Sequence, residues 1–210
     1  MNNRSFEREL PEGYVEAKHI DAKSKLLGLV MNLVALVIFF AVMVVAVVFF
    51  ALGLKSNTFQ TLTPEIPALM AASWIFVISM LVYIVLHELV HGIAYKILTG
   101  EKLTFGISWS CAFCGVPSIY TYRRTAIISS AVPLAVFSAI LLPLSVVFLF
   151  VNPIYYFLSA MLLAAHLSGC VGDCYVLLLL HTKYKSPDIL IRDTGPAQSI
   201  YIKKPSKEQH

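Results

Sequence analysis

Charge is scarce in this chain of 210 residues: Asp, Glu, Lys and Arg make up 13% of it, about half of the roughly 25% usual in soluble domains. That scarcity excludes a disordered chain, which stays open because it is charged and poor in apolar residues. It also excludes a basic nucleic-acid-binding domain, so no nucleic-acid partner is expected. Cysteine is scarce too. The four present are Cys111, Cys114, Cys170 and Cys174, with none in the polar first 25 residues, so they make no disulfide framework. There is no internal repeat and no low-complexity segment. Residues 1–25 hold no apolar run, so the chain is expected to begin without a cleavable signal peptide.

What is abundant is hydrocarbon: 58% of the residues are hydrophobic. They gather in four stretches, Leu26 to Leu54, Ala72 to Leu98, Thr125 to Val151 and Ile154 to His181. Each exceeds the roughly 20 residues that cross about 30 Å of hydrocarbon as a helix. The first and third lack the polar face that a helix of a soluble bundle would turn to water. The expected fold class is an all-α polytopic membrane protein with four transmembrane helices, about 26–54, 72–98, 125–151 and 154–181. Residues 26–181 then form the membrane domain, flanked by an N-terminal arm 1–25 and a C-terminal tail 182–210, with the lipid bilayer as its first partner.

Lysine and arginine set the orientation. Arg4, Arg8, Lys18, Lys23 and Lys25 lie in the arm, and Lys96, Lys102, Arg123 and Arg124 between the second and third spans. Lys183, Lys185, Arg192, Lys203, Lys204 and Lys207 lie in the tail, leaving only Lys55 for the opposite face. The positive-inside rule puts both termini in the cytosol of a multi-pass cell-membrane protein. Asn152-Pro153 is then a tight outer connection. The cytosolic connection alternates: Leu103, Phe105, Ile107, Trp109, Cys111 and Phe113 interleave with small or polar residues. That period of two predicts a β-hairpin over 103–122 at the cytosolic membrane surface, with Gly115-Val116-Pro117 as its break and Ile119 to Tyr122 running back. The tail is expected to hold at most a short extended piece around Ser199 to Ile202.

Charge inside a membrane is costly, at least about 2.5–3.5 kcal/mol at the centre, so an ionisable residue there points to function. The first and third spans have none. Away from the span ends, the second has His87, Glu88 and His91, and the fourth has His166 and Asp173. His87-Glu88-Leu89-Val90-His91 is an H-E-x-x-H pattern, which composition alone would produce about 0.006 times in such a chain. On a helix, positions i and i+4 put both imidazoles on one face, where they can grip one ion. Glu88 is rotated about 100° from His87, which suits a general base beside an activated water rather than a ligand.

A catalytic zinc takes three protein ligands and keeps one position open. Asp173 is the natural third. At 1.5 Å per residue, His87, His91 and Asp173 lie roughly 16, 10 and 12 Å from the cytosolic ends of their helices, so they meet at one level. Ser168, Gly169, Cys170 and Gly172 around Asp173 allow close approach and local unwinding. A structural pairing of Asp173 with Lys96 or a histidine is the competing reading. His166 sits about 10.5 Å along the helix from Asp173, too far to share an ion. It is a candidate for a supporting or oxyanion-stabilising role, or a helix-bridging one. Cys111 and Cys114 form a C-x-x-C without a second pair, so packing is favoured over metal binding, as it is for Cys170 and Cys174.

His87-Glu88-Leu89-Val90-His91-Gly92, Ala131-Val132-Pro133-Leu134 and Ser168-Gly169-Cys170-Val171-Gly172-Asp173 together resemble the zincin-type integral-membrane metallopeptidases. This is a bacterial group carried as a domain of unknown function, similar in plan to the site-2 protease class. The resemblance covers roughly residues 10 to 204, including Ile191-Arg192-Asp193-Thr194-Gly195. It implies zinc held by His87, His91 and Asp173, Glu88 as catalytic base, and a place in the bacterial cytoplasmic membrane. The group usually carries an amide where His166 stands. The expected function is an intramembrane zinc metalloendopeptidase cutting membrane-protein or membrane-bound peptide substrates. The alternatives are a metal-binding membrane transporter and a non-catalytic scaffold that keeps a zinc site. A transporter would want a polar path to the outer face, which the first and third spans do not supply. A scaffold would not need Glu88.

Overall fold

A computed structural model describes residues 5–21, 24–55, 66–107 and 112–204. Five helices carry the apolar stretches: α1 (Lys25–Lys55), α2 (Ile66–Thr99), α3 (Arg123–Val151), α4 (Pro153–Gly169) and α5 (Val171–Thr182). The first three are long and apolar enough to cross a membrane, and α4 with α5 makes a fourth if counted as one bent span. The protein is therefore of membrane type. Asn152 starts α4 as a cap, its side-chain oxygen accepting the Ile154 N–H at 2.8 Å, with Pro153 at the first helical position, where its missing N–H costs nothing. The fourth stretch breaks at Cys170, whose N–H closes on the His166 carbonyl at 3.1 Å. The glycines on either side, Gly169 and Gly172, are poor helix formers, which is why the break falls there.

The fold is not all-α, and this corrects the expectation from hydropathy. The described residues hold seven strands: β1 (Phe6–Glu7), β2 (Tyr14–Asp21), β3 (Thr104–Ile107), β4 (Ala112–Gly115), β5 (Tyr120–Tyr122), β6 (Leu190–Asp193) and β7 (Ala197–Lys203). Five of them form an antiparallel sheet in the order β1-β5-β6-β7-β2. The hairpin expected over 103–122 is shorter. β3 pairs with β4, Ile107 opposite Ala112 and Thr104 opposite Gly115, so the chain does not turn back at Gly115-Val116-Pro117. Tyr120–Tyr122 joins the larger sheet instead, between β1 and β6. Alternation shows that a segment is a strand with two unlike faces; it does not show where the chain reverses or which strand becomes its partner.

The chain divides into two compact units, each threaded by parts of α1, α2 and α3. One comprises Met1–Leu29, His87–Pro133 and Gly172–His210. Its core packs the sheet on α5: Ile20, Ile191 and Ile200 close on Val176, Leu180 and Tyr184. Arg123 caps the end of α5, donating from Nε to the carbonyls of Leu180 and Tyr184 at 2.9 and 3.0 Å, a cation at the negative end of a helix. Ile200→Ala is expected to cost this unit about 2–5 kcal/mol, because Ile200 is fully buried between sheet and helix. Chemical unfolding followed by circular dichroism of the detergent-solubilised protein measures it.

The second unit comprises Val30–Leu86 and Leu134–Val171. Ala46, Tyr156 and Ala160 pack together there, and the Tyr156 hydroxyl donates to the Ala46 carbonyl at 2.8 Å. Leu33, Phe40, Trp74, Ile78, Val146 and Phe150 are exposed on α1, α2 and α3. Such large apolar surface suits lipid rather than water.

Candidate metal centre

His87, Glu88 and His91 lie on the part of α2 that belongs to the first unit, and Asp173 lies in the first turn of α5 in the same unit. One residue past Gly172, the Asp173 carboxylate sits at the positive end of α5, where a negative charge is favoured. Its Oδ2 lies 3.5 Å from His87 Nε2 and 3.4 Å from His91 Nε2. The two rings stand edge to face, 5.0 Å between centroids. One ligand atom from each of the three residues lies within 4.8 Å of the others. A tetrahedral zinc with bonds of about 2.0–2.1 Å holds neighbouring ligand atoms about 3.4 Å apart. The two imidazole–carboxylate separations match that edge, so the donor set fits zinc in chemistry and in spacing. Lys96 is engaged elsewhere, its Nζ donating to the carbonyls of Gly100 and Glu101 at 2.8 and 3.2 Å.

The surroundings orient these groups. His91 Nδ1 lies 2.8 Å from the Ser129 carbonyl on α3. The backbone N–H of Cys114, on β4, donates to the Glu88 carboxylate. That N–H therefore points away from β3, and the outer edge of β4 runs past the Glu88 side chain. Gly92, directly after the motif, lets the hairpin come close: a Cβ there would stand 2.6 Å from Cζ of Phe105. Such crowding against the end of a side chain can be relieved by a small shift.

Three neighbours of the cluster were given no role from the sequence: Ser129, Tyr95 and Asp193. Tyr95 follows Glu88 by seven residues, so the two share a helix face, and its hydroxyl donates to Asp193 Oδ2 at 2.6 Å. Asp193 also accepts from the Gly195 N–H at 2.8 Å and from Gln198 Nε2 at 3.0 Å, while its carbonyl takes the Val116 N–H at 2.9 Å. The β6–β7 turn is thereby fastened to both α2 and the end of β4. Gly195 adopts φ +96, and a Cβ on Gly115 would collide with its backbone. The Tyr95 spacing was a usable signal. Asp193 was read only as part of the 191–195 stretch that carries the resemblance and was given no role, because its contact with Tyr95 spans 98 residues.

Burial pushes the Asp193 carboxyl up to about 6, against the opposing pull of the Tyr95 and Gly195 hydrogen bonds. A carboxyl raised in this way favours the folded state when protonated. Its contribution is complete below the ordinary value near 3.8 and is lost as pH rises through about 6. The melting temperature of the metal-free protein should therefore carry a component that falls between pH 4 and 6, and Asp193→Asn should remove it. Burial, with the Asp193 and Glu88 charges nearby, pushes the Cys114 thiol up to about 12, so it stays protonated at neutral pH. Its partner in the C-x-x-C, Cys111, lies outside the described residues. Cys170 is fully buried at the α4–α5 break and Cys174 is exposed.

His166 belongs to the second unit. Its Nδ1 meets the Tyr83 hydroxyl at 2.9 Å and its Nε2 the Ser138 hydroxyl at 3.1 Å, with the rings of Tyr83 and Phe137 against it. The imidazole thus joins α2, α3 and α4.

Helices of membrane length and a cluster of two histidines and an aspartate that could hold a metal ion define a membrane-type protein with a candidate metal site. A family model described as "Putative zincin peptidase" matches residues 80–187, just over half of the chain, and the protein belongs to that family. The matched segment runs from the middle of α2 to just past α5 and so contains every residue of the cluster. Neither the curated proteins nor the solved structures hold a match to the chain.

Proposed function

We propose that this protein is an integral-membrane zinc metallopeptidase in which His87, His91 and Asp173 hold the metal and Glu88 is the general base. The observation that carries this reading is the pair of 3.4 and 3.5 Å separations between one carboxylate oxygen and two imidazole nitrogens, with Glu88 on the same helix. Zinc, when bound, supplies Lewis acidity that acidifies water and polarises a carbonyl. Glu88 takes the proton from the attacking water and passes it to the leaving amine. The Cys114 N–H helps to orient the Glu88 carboxylate. His91, fixed through Nδ1, keeps Nε2 turned to the metal position.

The substrate class is a membrane protein or membrane-bound peptide, presented from the side that carries the basic segments, which the positive-inside rule favours as cytosolic. Its scissile segment pairs in extended form with a free edge of the β3–β4 hairpin, main chain to main chain, which exposes a peptide bond that a helix would hide. For His166 we assign the helix-bridging role. Donating to a substrate oxyanion would require breaking its bond with Tyr83 or Ser138.

The test is metal content and hydrolysis together. Purified protein should carry about one zinc per chain and cleave fluorescein-labelled casein in detergent. A strong chelator should abolish the cleavage and added zinc should restore it. Cleavage that survives complete removal of metal would rule the reading out.

A further inference from the structure

A proline inside an α-helix removes one rung of the hydrogen-bond ladder, and its ring pushes the carbonyl four residues earlier out of line. Pro133 is fully buried in the interior of α3. The carbonyl four residues earlier is that of Ser129, and its oxygen is the one that meets His91 Nδ1 at 2.8 Å. The Ser129 hydroxyl is occupied separately, donating to the Thr125 carbonyl at 2.7 Å. A carbonyl can only accept, so His91 Nδ1 carries a proton, which leaves Nε2 as the nitrogen available to a metal. Nε2 is the nitrogen that faces Asp173 Oδ2.

We propose that Pro133 is a positioning residue for the metal centre. It frees the Ser129 carbonyl from α3, and this oxygen then holds His91 in the one tautomer whose Nε2 can serve as a ligand. The inference rests on the zinc reading above. An ordinary residue at 133 would bring an N–H that draws the Ser129 carbonyl back along the helix and away from the imidazole. Partners that orient a ligating histidine in this manner typically change metal affinity by about 10–100-fold when altered.

The test compares Pro133→Ala with Pro143→Ala, an exposed proline of the same helix, in the full-length protein in detergent. Zinc affinity is read by competition with a chelator, and thermal unfolding is followed on the metal-free form. Pro133→Ala should bind zinc about tenfold more weakly, while the metal-free protein melts at the same or a higher temperature because the helix has gained a rung. Pro143→Ala should leave the affinity unchanged. Affinity within twofold of wild type in Pro133→Ala, or equal losses in both variants, would overturn the proposal. A purely architectural proline would move the melting temperature alone.

The ¹⁵N spectrum of the histidine-labelled, zinc-loaded wild type gives a second measurement that needs no folded Pro133 variant, with His91 assigned by difference against His91→Gln. An Nδ1–H signal supports the proposal and an Nε2–H signal overturns it. A wild type that binds no zinc would instead defeat the zinc reading, so the two failures are distinct.

Discussion

The Glu88→Gln protein should hold its zinc and lose hydrolysis, by about 10²–10⁴-fold in kcat. The substitution keeps the shape of the side chain and an oxygen for the Cys114 N–H, and it leaves His87, His91 and Asp173 untouched. What it removes is the capacity to take a proton. Zinc content should stay at about one per chain, and the KM for labelled casein should move little, because main-chain pairing with the hairpin does not use the carboxylate charge. Unchanged turnover in a zinc-loaded Glu88→Gln protein would end the peptidase reading. Loss of zinc together with turnover would place Glu88 among the ligands, which its rotation from His87 on α2 argues against.

The parts of the molecule legible in the sequence are those on which lipid imposes a rule. A bilayer demands about 20 apolar residues per helix, so α1, α2 and α3 stand within a few residues of their expected ranges, and α2 begins six residues earlier than Ala72. The same rule exposes any polar residue that breaks it. His87, Glu88, His91 and Asp173 could be picked out because charge is expensive in their surroundings, and the i, i+4 spacing on a helix supplied their geometry. The sheet obeys no such rule. β2 and β7 pair Tyr14 with Lys203 and Asp21 with Ala197, separations that no local pattern encodes.

The two longest strands are also mixed in burial. In β7, Ile200 is buried while Tyr201 and Ile202 are only partly so. In β2, only Ile20 is fully buried. A single buried residue in each of these two strands leaves little periodicity to read. The role of Asp193 was hidden for a related reason. Its carboxylate meets Tyr95 only because the β6–β7 turn is folded against α2, and that fold depends on strand pairing from both ends of the chain. Pro133 is the intermediate case. The sequence shows a proline where a helix is needed, and only the position of His91 gives that proline a purpose.

Asp173→Ala should leave a folded protein with almost no hold on zinc. The variant keeps two imidazoles on one helix, and two ligands do not meet the three that a catalytic zinc takes. Altering a residue that merely supports a ligand weakens binding by about 10–100-fold, so deleting a ligand should weaken it by more than 100-fold. Thermal stability makes this measurable without a substrate. At free zinc about 100 times the wild-type Kd, binding adds about 2.7 kcal/mol to the folded state, and at the same concentration a 100-fold weaker site adds only about 0.4 kcal/mol. The zinc-induced rise in melting temperature should therefore nearly vanish in Asp173→Ala. Were Asp173 a structural acid pairing with the histidines, the order would reverse: the metal-free protein would melt earlier and zinc would still raise its Tm by the wild-type amount. The two readings of one carboxylate predict opposite changes in two curves from the same sample, and the His–Asp separations of 3.4 and 3.5 Å favour the first.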